Sequence, residues 1–297
     1  MHDDDREVPP GEPPAFAPFD RTEPAAFGPP ERAAFEEPPP EAFDEPVFVP
    51  PDPFEPPPVE LWATVGDVAP WGTALLVLSW AAVFATVAFR GELGDTSAYV
   101  AWGASVTGLE PRDTAWRLLA STFLHDGPAH VFFNALAMLI YGPAVERIFT
   151  RWAFWTVFAV GGTAASLGSL LWRAAHHGAY SLSVGASGAI FALGGALLVG
   201  AFRLRHRLAP GRARALGAAL MFLVAQALAA GFARHGTDNA AHASGLVAGA
   251  LVGAAVPLSP RLGGPRPGAM MLALGTLCAL ALAAALALAV RGGLGLG

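Results

Sequence analysis

The sequence contains no lysine and a single cysteine, Cys278, among its 297 residues. One cysteine cannot build a disulfide framework or a thiolate metal site within one chain. Charged side chains are also scarce, at 14%, whereas 54% of the residues are hydrophobic and the mean hydropathy is positive. These values exclude a soluble domain of this length. The sequence therefore predicts a membrane protein, with no indication of a cofactor, a metal site or a nucleic-acid partner.

The formal net charge of -6 describes one segment of the chain, because the acidic residues crowd into the first sixty positions. This segment is rich in proline and has few aliphatic residues to bury, so we predict that residues 1–65 form a disordered tail. No signal peptide precedes the first apolar run, and the tail is therefore expected on the cytoplasmic side. It is either a passive spacer or a binding segment for a cytoplasmic partner, anchored by Phe16, Phe27, Phe35 and Phe43.

Seven apolar runs approach the roughly twenty residues that a helix needs to span a bilayer. A short loop between the fourth and fifth runs carries Arg203, Arg205 and Arg207, and such basic loops lie on the cytoplasmic side. The connection 90–128 is then expected outside, and the second, fourth and sixth helices begin at the outer face. The seven runs cover about 71–89, 129–148, 153–172, 186–202, 214–232, 239–257 and 268–290.

The three helices that begin at the outer face each carry unusual polar groups in their first turns. His130 and Asn134 lie on the second helix, Ser187 on the fourth and His242 on the sixth. Polar side chains in the membrane are costly and are candidates for function, although a lone serine is more often a packing residue. His130 and Asn134 are four residues apart and therefore share one face of a helix.

Small residues offer a way to bring two of these groups together. Gly245 and Gly249 follow His242 on one helix face, and the fourth helix has a similar face of glycine and alanine. Such faces allow very close packing of helices, which would bring Ser187 against His242. A serine beside a histidine, with His130 and Asn134 as further donors, is the equipment for acyl transfer. Asp238 either orients His242 or caps its helix, and we favour a dyad.

Five motifs in this order resemble the rhomboid family of intramembrane serine proteases, over about residues 110–257. They are AWR at 115–117, HDGPAHVFFN at 125–134, GPAVER at the end of the second helix, GASG at 185–188 and NAAHASGLVAG at 239–249. The resemblance implies an all-α membrane protein, a polytopic helical bundle with a six-helix core at 66–260 and one additional C-terminal helix at 261–297.

The resemblance also implies roles for individual residues. Ser187 and His242 match the catalytic dyad of the family, and His130 and Asn134 match its oxyanion donors. Trp116 and Arg117 resemble a pair that stabilises the first outer loop. The remaining matches imply structural support, by Gly185, Gly245 and Gly249, by a loop-ordering His125, and by the polar pair Glu146 and Arg147.

Phe191 and the seventh apolar run each carry a further expectation. Phe191 stands where many relatives have a tyrosine that supports the catalytic histidine, and its ring can still stack on an imidazole. The seventh run is nearly devoid of polar residues, so we expect it to face lipid.

The sequence thus predicts a serine endopeptidase, a multi-pass protein that cleaves transmembrane proteins near the outer face of the membrane. Frequent glycine, alanine and arginine, together with the absence of lysine, are typical of a bacterial genome of high G+C content, which would place the protein in the inner membrane. One alternative is an inactive relative that binds membrane proteins and guides their trafficking. A second alternative is a transporter lined by His130, Asn134 and His242, although no polar series continues to the cytoplasmic side.

Overall fold

Long apolar helices dominate the computed structural model, which describes residues 69–176, 181–208 and 237–296 and scattered residues between 211 and 225. Two short strands, β1 (Ser105–Val106) and β2 (Leu182–Ser183), and 3-10 turns at Ser121–Phe123 and Pro260–Leu262 lie between the helices. The described helices are α1 (Trp71–Phe89), α2 (Thr96–Ala101), α3 (Pro111–Ala115), α4 (Arg117–Ala120), α5 (Pro128–Ile148), α6 (Arg151–His176), α7 (Ser187–Arg203), α8 (Asn239–Ala255) and α9 (Ala269–Gly293).

Four of these helices, α1, α5, α6 and α9, are long and apolar enough to cross a membrane. Helices α7 and α8 are shorter, with 17 residues each. Six of the seven predicted spans therefore correspond to helices. The predicted fifth span, at about 214–232, and the predicted tail, 1–65, lie largely or wholly outside the described residues. The chain is a multi-pass membrane protein built as a helical bundle.

Helices α7 and α8 pack with their backbones in direct contact. A Cβ atom added at Gly245 would overlap the carbonyl oxygen of Gly188, and one added at Gly249 would overlap the carbonyl oxygen of Ala192. The contact continues where Gly253 lies against Ala196. The small-residue faces predicted from the sequence therefore pack against each other, and only glycine fits at these positions.

Helix α6 completes this tightly packed group. Gly161 lies against Ala192 of α7, and Gly168 lies against Ser244 of α8. Helix α6 also contributes Phe154 and Phe158, which are fully buried in the apolar core. Since α6, α7 and α8 share small-residue contacts, the beginnings of α7 and α8 have little freedom to move apart.

Glu146 connects α5 to the start of α1. Its buried carboxylate accepts hydrogen bonds from the backbone nitrogens of Gly72 and Thr73, at 3.3 and 2.9 Å, and from the Thr73 hydroxyl at 2.8 Å. These backbone nitrogens belong to the first turn of a helix and have no intrahelical acceptor. The sequence predicted a structural role for Glu146. In the structure its carboxylate connects two helices.

The connection between α1 and α5 is folded rather than extended. It contains α2, β1, α3 and α4, and β1 pairs antiparallel with β2 through Ser105 opposite Ser183. Arg117 donates to the carbonyl oxygens of Val100 and Ala104, at 2.5 and 3.2 Å, and lies 4.6 Å from the centre of the Trp116 ring. Through the pairing of β1 with β2, this connection contacts the segment just before Ser187.

Helix α9 exposes large apolar side chains along part of its surface, among them Met270, Leu277 and Leu280, as expected of a helix that faces lipid. Helix α9 buries one face of mostly small residues, from Gly275 through Cys278 and Ala285 to Gly293. Gly275 lies against Trp152 of α6, and Gly293 lies against the ring of Trp102 in the outer connection. Small residues let α9 approach its neighbours closely, so the scarcity of polar residues in this helix did not reveal its buried face.

Two neighbouring glycines of α7 test the packing with α8. A Cβ atom at Gly195 would overlap the carbonyl oxygen of Leu246, whereas one at Gly194 would lie 3.7 Å from Val224, an ordinary contact. We expect Gly195→Ala to lower stability by about 1–3 kcal/mol, because backbone atoms must move. Gly194→Ala should be neutral or stabilise by up to about 1 kcal/mol through helix propensity. Thermal unfolding in detergent compares the two variants, and equal melting temperatures would contradict the packing.

Candidate active site

Ser187 and His242 face each other at the beginnings of α7 and α8. The Ser187 Oγ lies 2.8 Å from the Nε2 of His242, within hydrogen-bonding distance. Ser187 is the first residue of α7, and His242 lies in the first turn of α8 and is only 6% exposed. A hydroxyl donating to an unprotonated imidazole nitrogen is the arrangement that activates a serine nucleophile.

Asp238 does not orient His242 in the structure. Its Oδ1 accepts from the backbone nitrogen of Ala241 at 3.0 Å, so it caps α8, and its Oδ2 accepts from the hydroxyls of Ser169 and Ser183. The Nδ1 of His242 has no hydrogen-bond partner among the described residues. Of the two roles considered for Asp238, the structure shows the helix cap, and the described residues form a serine–histidine pair without a third acidic member.

Phe191 packs flat against the ring of His242. The ring centroids are 4.2 Å apart and the planes differ by 14°. Phe191 lies four residues after Ser187, one turn along α7, so the same helix supplies the hydroxyl and the surface that restricts the imidazole. The sequence predicted this support, and the structure places the ring in contact with His242.

His130 approaches the site through Gly185. A Cβ atom added at Gly185 would lie 2.7 Å from the Nε2 of His130, and Gly185 has a φ of +125°, which side chains rarely adopt. The backbone nitrogen of Gly185 donates to the carbonyl oxygen of Ser121 at 2.9 Å. Glycine is therefore needed for both conformation and space, and it leaves the Nε2 of His130 close to the segment that leads into Ser187.

Asn134 lies one turn below His130 on α5 and is buried. Its amide nitrogen donates to the carbonyl oxygen of His130 at 3.0 Å, a bond within its own helix. An amide has two N–H groups, so one remains for a further acceptor. The structure thus places Asn134 on the same face as His130, as the sequence predicted.

His125 supports the outer side of His130. Its ring is buried edge-on to the His130 ring, with centroids 5.0 Å apart, and is 5.5 Å from the Trp80 ring on the other side. Burial, and then repulsion from His130, lowers the pKa of His125 to about 3. His125 is therefore neutral at physiological pH and fills space beside His130 without adding charge.

A polar cavity borders Ser187 on the side of α6. Its lining includes the hydroxyls of Ser121, Ser166, Ser169 and Ser183 and the carboxylate of Asp238. Among the described residues, no group of three histidine, cysteine, aspartate or glutamate side chains could hold a metal ion. The site therefore provides hydroxyl, imidazole and carboxylate groups for its chemistry.

A buried arginine next to this cavity was not predicted from the sequence. Arg173 donates to the Ser169 hydroxyl at 3.0 Å, to the Ser105 hydroxyl at 3.1 Å and to the Ser181 carbonyl oxygen at 2.5 Å. Because Ser169 also donates to Asp238, a chain of hydrogen bonds runs from α6 to the cap of α8. No pattern in the sequence indicated that Arg173, near the end of an apolar run, is buried.

Comparison with known proteins identifies a family and several relatives. A family model described as a rhomboid domain matches residues 112–259. The rhomboid protease GluP of Bacillus subtilis is 34% identical over 194 residues, which are 65% of this chain and 36% of that protein. The rhomboid protease AarA of Providencia stuartii is 27% identical over 208 residues, covering 63% of this chain and 72% of that one. RHOMBOID-like protein 4 of Arabidopsis thaliana is 31% identical over 161 residues, which are 54% of this chain and 39% of that protein.

The fold and the site together define a polytopic helical membrane protein with a serine and a histidine paired at two helix beginnings. The matches to the family model and to these relatives show that the chain belongs to the rhomboid family. It spans 36% of the length of GluP and 39% of RHOMBOID-like protein 4, so those proteins contain long regions without a counterpart in the match.

The stacked ring of Phe191 gives a prediction for the site. Stacking of aromatic rings contributes about 0.5–1.5 kcal/mol, so Phe191→Ala should slow the reaction of Ser187 with a fluorophosphonate by roughly 2- to 10-fold. Phe191→Tyr keeps the ring and is the matched control, expected to react at close to the original rate. Thermal unfolding of both variants shows whether the fold is retained. A Phe191→Ala variant that folds and reacts as fast as the original protein would exclude the supporting role.

Proposed function

We propose that the protein is an intramembrane serine endopeptidase that cleaves transmembrane proteins with a dyad of Ser187 and His242. The observation that carries the proposal is the 2.8 Å distance between the Ser187 Oγ and the His242 Nε2. Membership of the rhomboid family and the names of GluP and AarA as rhomboid proteases support the same activity.

In the first half of the reaction, His242 takes the proton of Ser187 while the Oγ attacks the carbonyl carbon of a peptide bond. The negative charge that forms on the carbonyl oxygen needs donors. The Nε2 of His130 and the second amide N–H of Asn134 are the side-chain candidates, and the backbone N–H of Ser187 is free because it opens a helix. His242 then gives its proton to the leaving amine, and an ester on Ser187 remains.

In the second half, water attacks the ester with His242 again as the base. The cavity beside Ser187 supports this step, because its serine hydroxyls and the Asp238 carboxylate offer hydrogen-bond partners to water in an otherwise apolar bundle. Proton transfer to His242 restores the original state and releases the second product.

The position of the dyad gives an expectation for the site of cleavage. Short basic loops lie in the cytoplasm, and the residues after Arg203 are rich in arginine, so the beginnings of α7 and α8 lie at the outer face. The scissile bond is then near the outer end of a transmembrane segment of the substrate. The tail 1–65 lies on the cytoplasmic side, and the bacterial inner membrane is the proposed location.

The geometry favours a protease over the two alternatives. A protein that only binds membrane clients has no need for a hydroxyl held against an imidazole. A transporter needs polar groups along a path through the bundle, whereas His130, Asn134, Ser187 and His242 all lie at helix beginnings on one side.

Substitution of the dyad tests the activity. Ser187→Ala and His242→Ala should each abolish cleavage of a model transmembrane substrate, and the double variant should be no worse than either, because the two residues act as a unit. Ser79→Ala is the matched control, since the Ser79 hydroxyl donates to Leu75 of its own helix and is exposed. Turnover by purified Ser187→Ala at more than trace rates would exclude this nucleophile.

The substrate provides a second test. A peptide bond inside a helix is shielded by hydrogen bonds, so the segment must unwind before Ser187 can attack, and glycine or proline lowers the cost of unwinding. Replacing these residues by leucine in a model substrate should slow cleavage strongly. Mass spectrometry of the products should place the cut in the outer turns of the segment, after a small residue. A cut at the cytoplasmic end, or equal cleavage of the leucine version, would contradict the proposal.

A further inference from the structure

Asp126 forms a contact with His130 that the proposed reaction does not yet use. Its Oδ1 lies 2.6 Å from the Nδ1 of His130, four residues further along the chain, at the beginning of α5. The other ring nitrogen, Nε2, is the one that approaches Gly185 and the start of α7. The His130 ring thus has a carboxylate at one nitrogen and the candidate active site at the other.

This arrangement restricts the protonation of His130. The hydrogen bond from His130 lowers the pKa of Asp126, so this carboxyl is ionised at neutral pH. An ionised carboxylate only accepts hydrogen bonds, so the Nδ1 of His130 must carry a proton. A neutral imidazole with its proton on Nδ1 has a lone pair on Nε2 and would repel an oxyanion. Only the doubly protonated ring can bond to Asp126 and donate to an oxyanion.

We propose that Asp126 is a positioning residue that holds His130 in its doubly protonated form, so that the Nε2–H is directed at the oxyanion formed on the carbonyl attacked by Ser187. This inference rests on the proposed function. A charged donor forms stronger hydrogen bonds than a neutral one, and a side chain fixed before the reaction does not have to reorient when the oxyanion forms.

The other titratable groups around His130 leave this role to Asp126. His125 is neutral because burial lowers its pKa to about 3. Tyr99, which approaches this corner and donates to the carbonyl oxygen of His125 at 3.3 Å, is also neutral, because burial raises its pKa. A charge on His242 would repel a charge on His130 rather than compensate it. Among the described groups, Asp126 is therefore the carboxylate that compensates a charge on His130.

Nitrogen NMR of histidine-labelled protein in detergent tests the pairing without any substrate. The His130 signals are assigned by their loss in His130→Gln. At the pH of maximal cleavage, both ring nitrogens of His130 should be protonated in the original protein. Asp126→Ala and the isosteric Asp126→Asn should each lower the midpoint of His130 deprotonation, because each removes the carboxylate beside Nδ1. Asp113→Ala removes an exposed carboxylate elsewhere in the outer connection and should leave the midpoint unchanged.

The pH dependence of substrate cleavage tests the consequence for catalysis. Because protonated His130 is the active form, the rate should fall as the pH rises through its deprotonation. In Asp126→Ala this alkaline fall should begin at a lower pH, by the same shift that NMR measures, while Asp113→Ala keeps the original profile.

Three results would overturn the inference: an unprotonated Nε2 on His130 at the pH of maximal cleavage, an NMR midpoint that is the same with and without Asp126, or an alkaline fall that does not move with it. Activity retained in Ser187→Ala would instead contradict the proposed protease mechanism. The two failures can be distinguished, because the NMR midpoint reports on the pair of Asp126 and His130 without any substrate.

Discussion

The structure depends on the direct contact between the backbones of α7 and α8. Apolar surface gives helices no reason to associate in lipid, so close packing of small residues has to hold them together. At Gly245 and Gly249 this packing leaves no room for a Cβ atom. The same contact determines the distance between Ser187 and His242, because both residues stand at the ends of the packed faces. A looser pair of helices would separate the hydroxyl from the imidazole.

Several buried charged side chains of the bundle form hydrogen bonds that hold the helices and loops together. Glu146 accepts hydrogen bonds from the first turn of α1, Asp238 caps α8, and Arg173 donates to Ser105 in β1 and to Ser181 just before β2. These contacts stabilise the frame of the bundle in the part of the chain that the structure describes. The hydroxyl of Ser187 is instead paired with the imidazole of His242, whose Nδ1 has no hydrogen-bond partner among the described residues.

Much of this arrangement was predictable from the sequence, for physical reasons. A membrane span requires a long apolar run, so six helices could be placed within a few residues, and the glycines after His242 indicated a packing face. The strands β1 and β2 and the short helices α2 to α4 were not predicted, because elements of two to six residues show no periodicity. The buried face of α9 was missed because small apolar residues suit both lipid and another helix.

The central claim is that one site combines Ser187 as nucleophile with His130 as a donor to the oxyanion. An experimental structure of the protein after reaction with a fluorophosphonate tests this claim most directly, since the phosphonyl oxygen stands in for the oxyanion. We predict a covalent bond to the Ser187 Oγ and a phosphonyl oxygen within hydrogen-bonding distance of the His130 Nε2. Modification of a different residue, or a phosphonyl oxygen that points away from His130, would contradict the account.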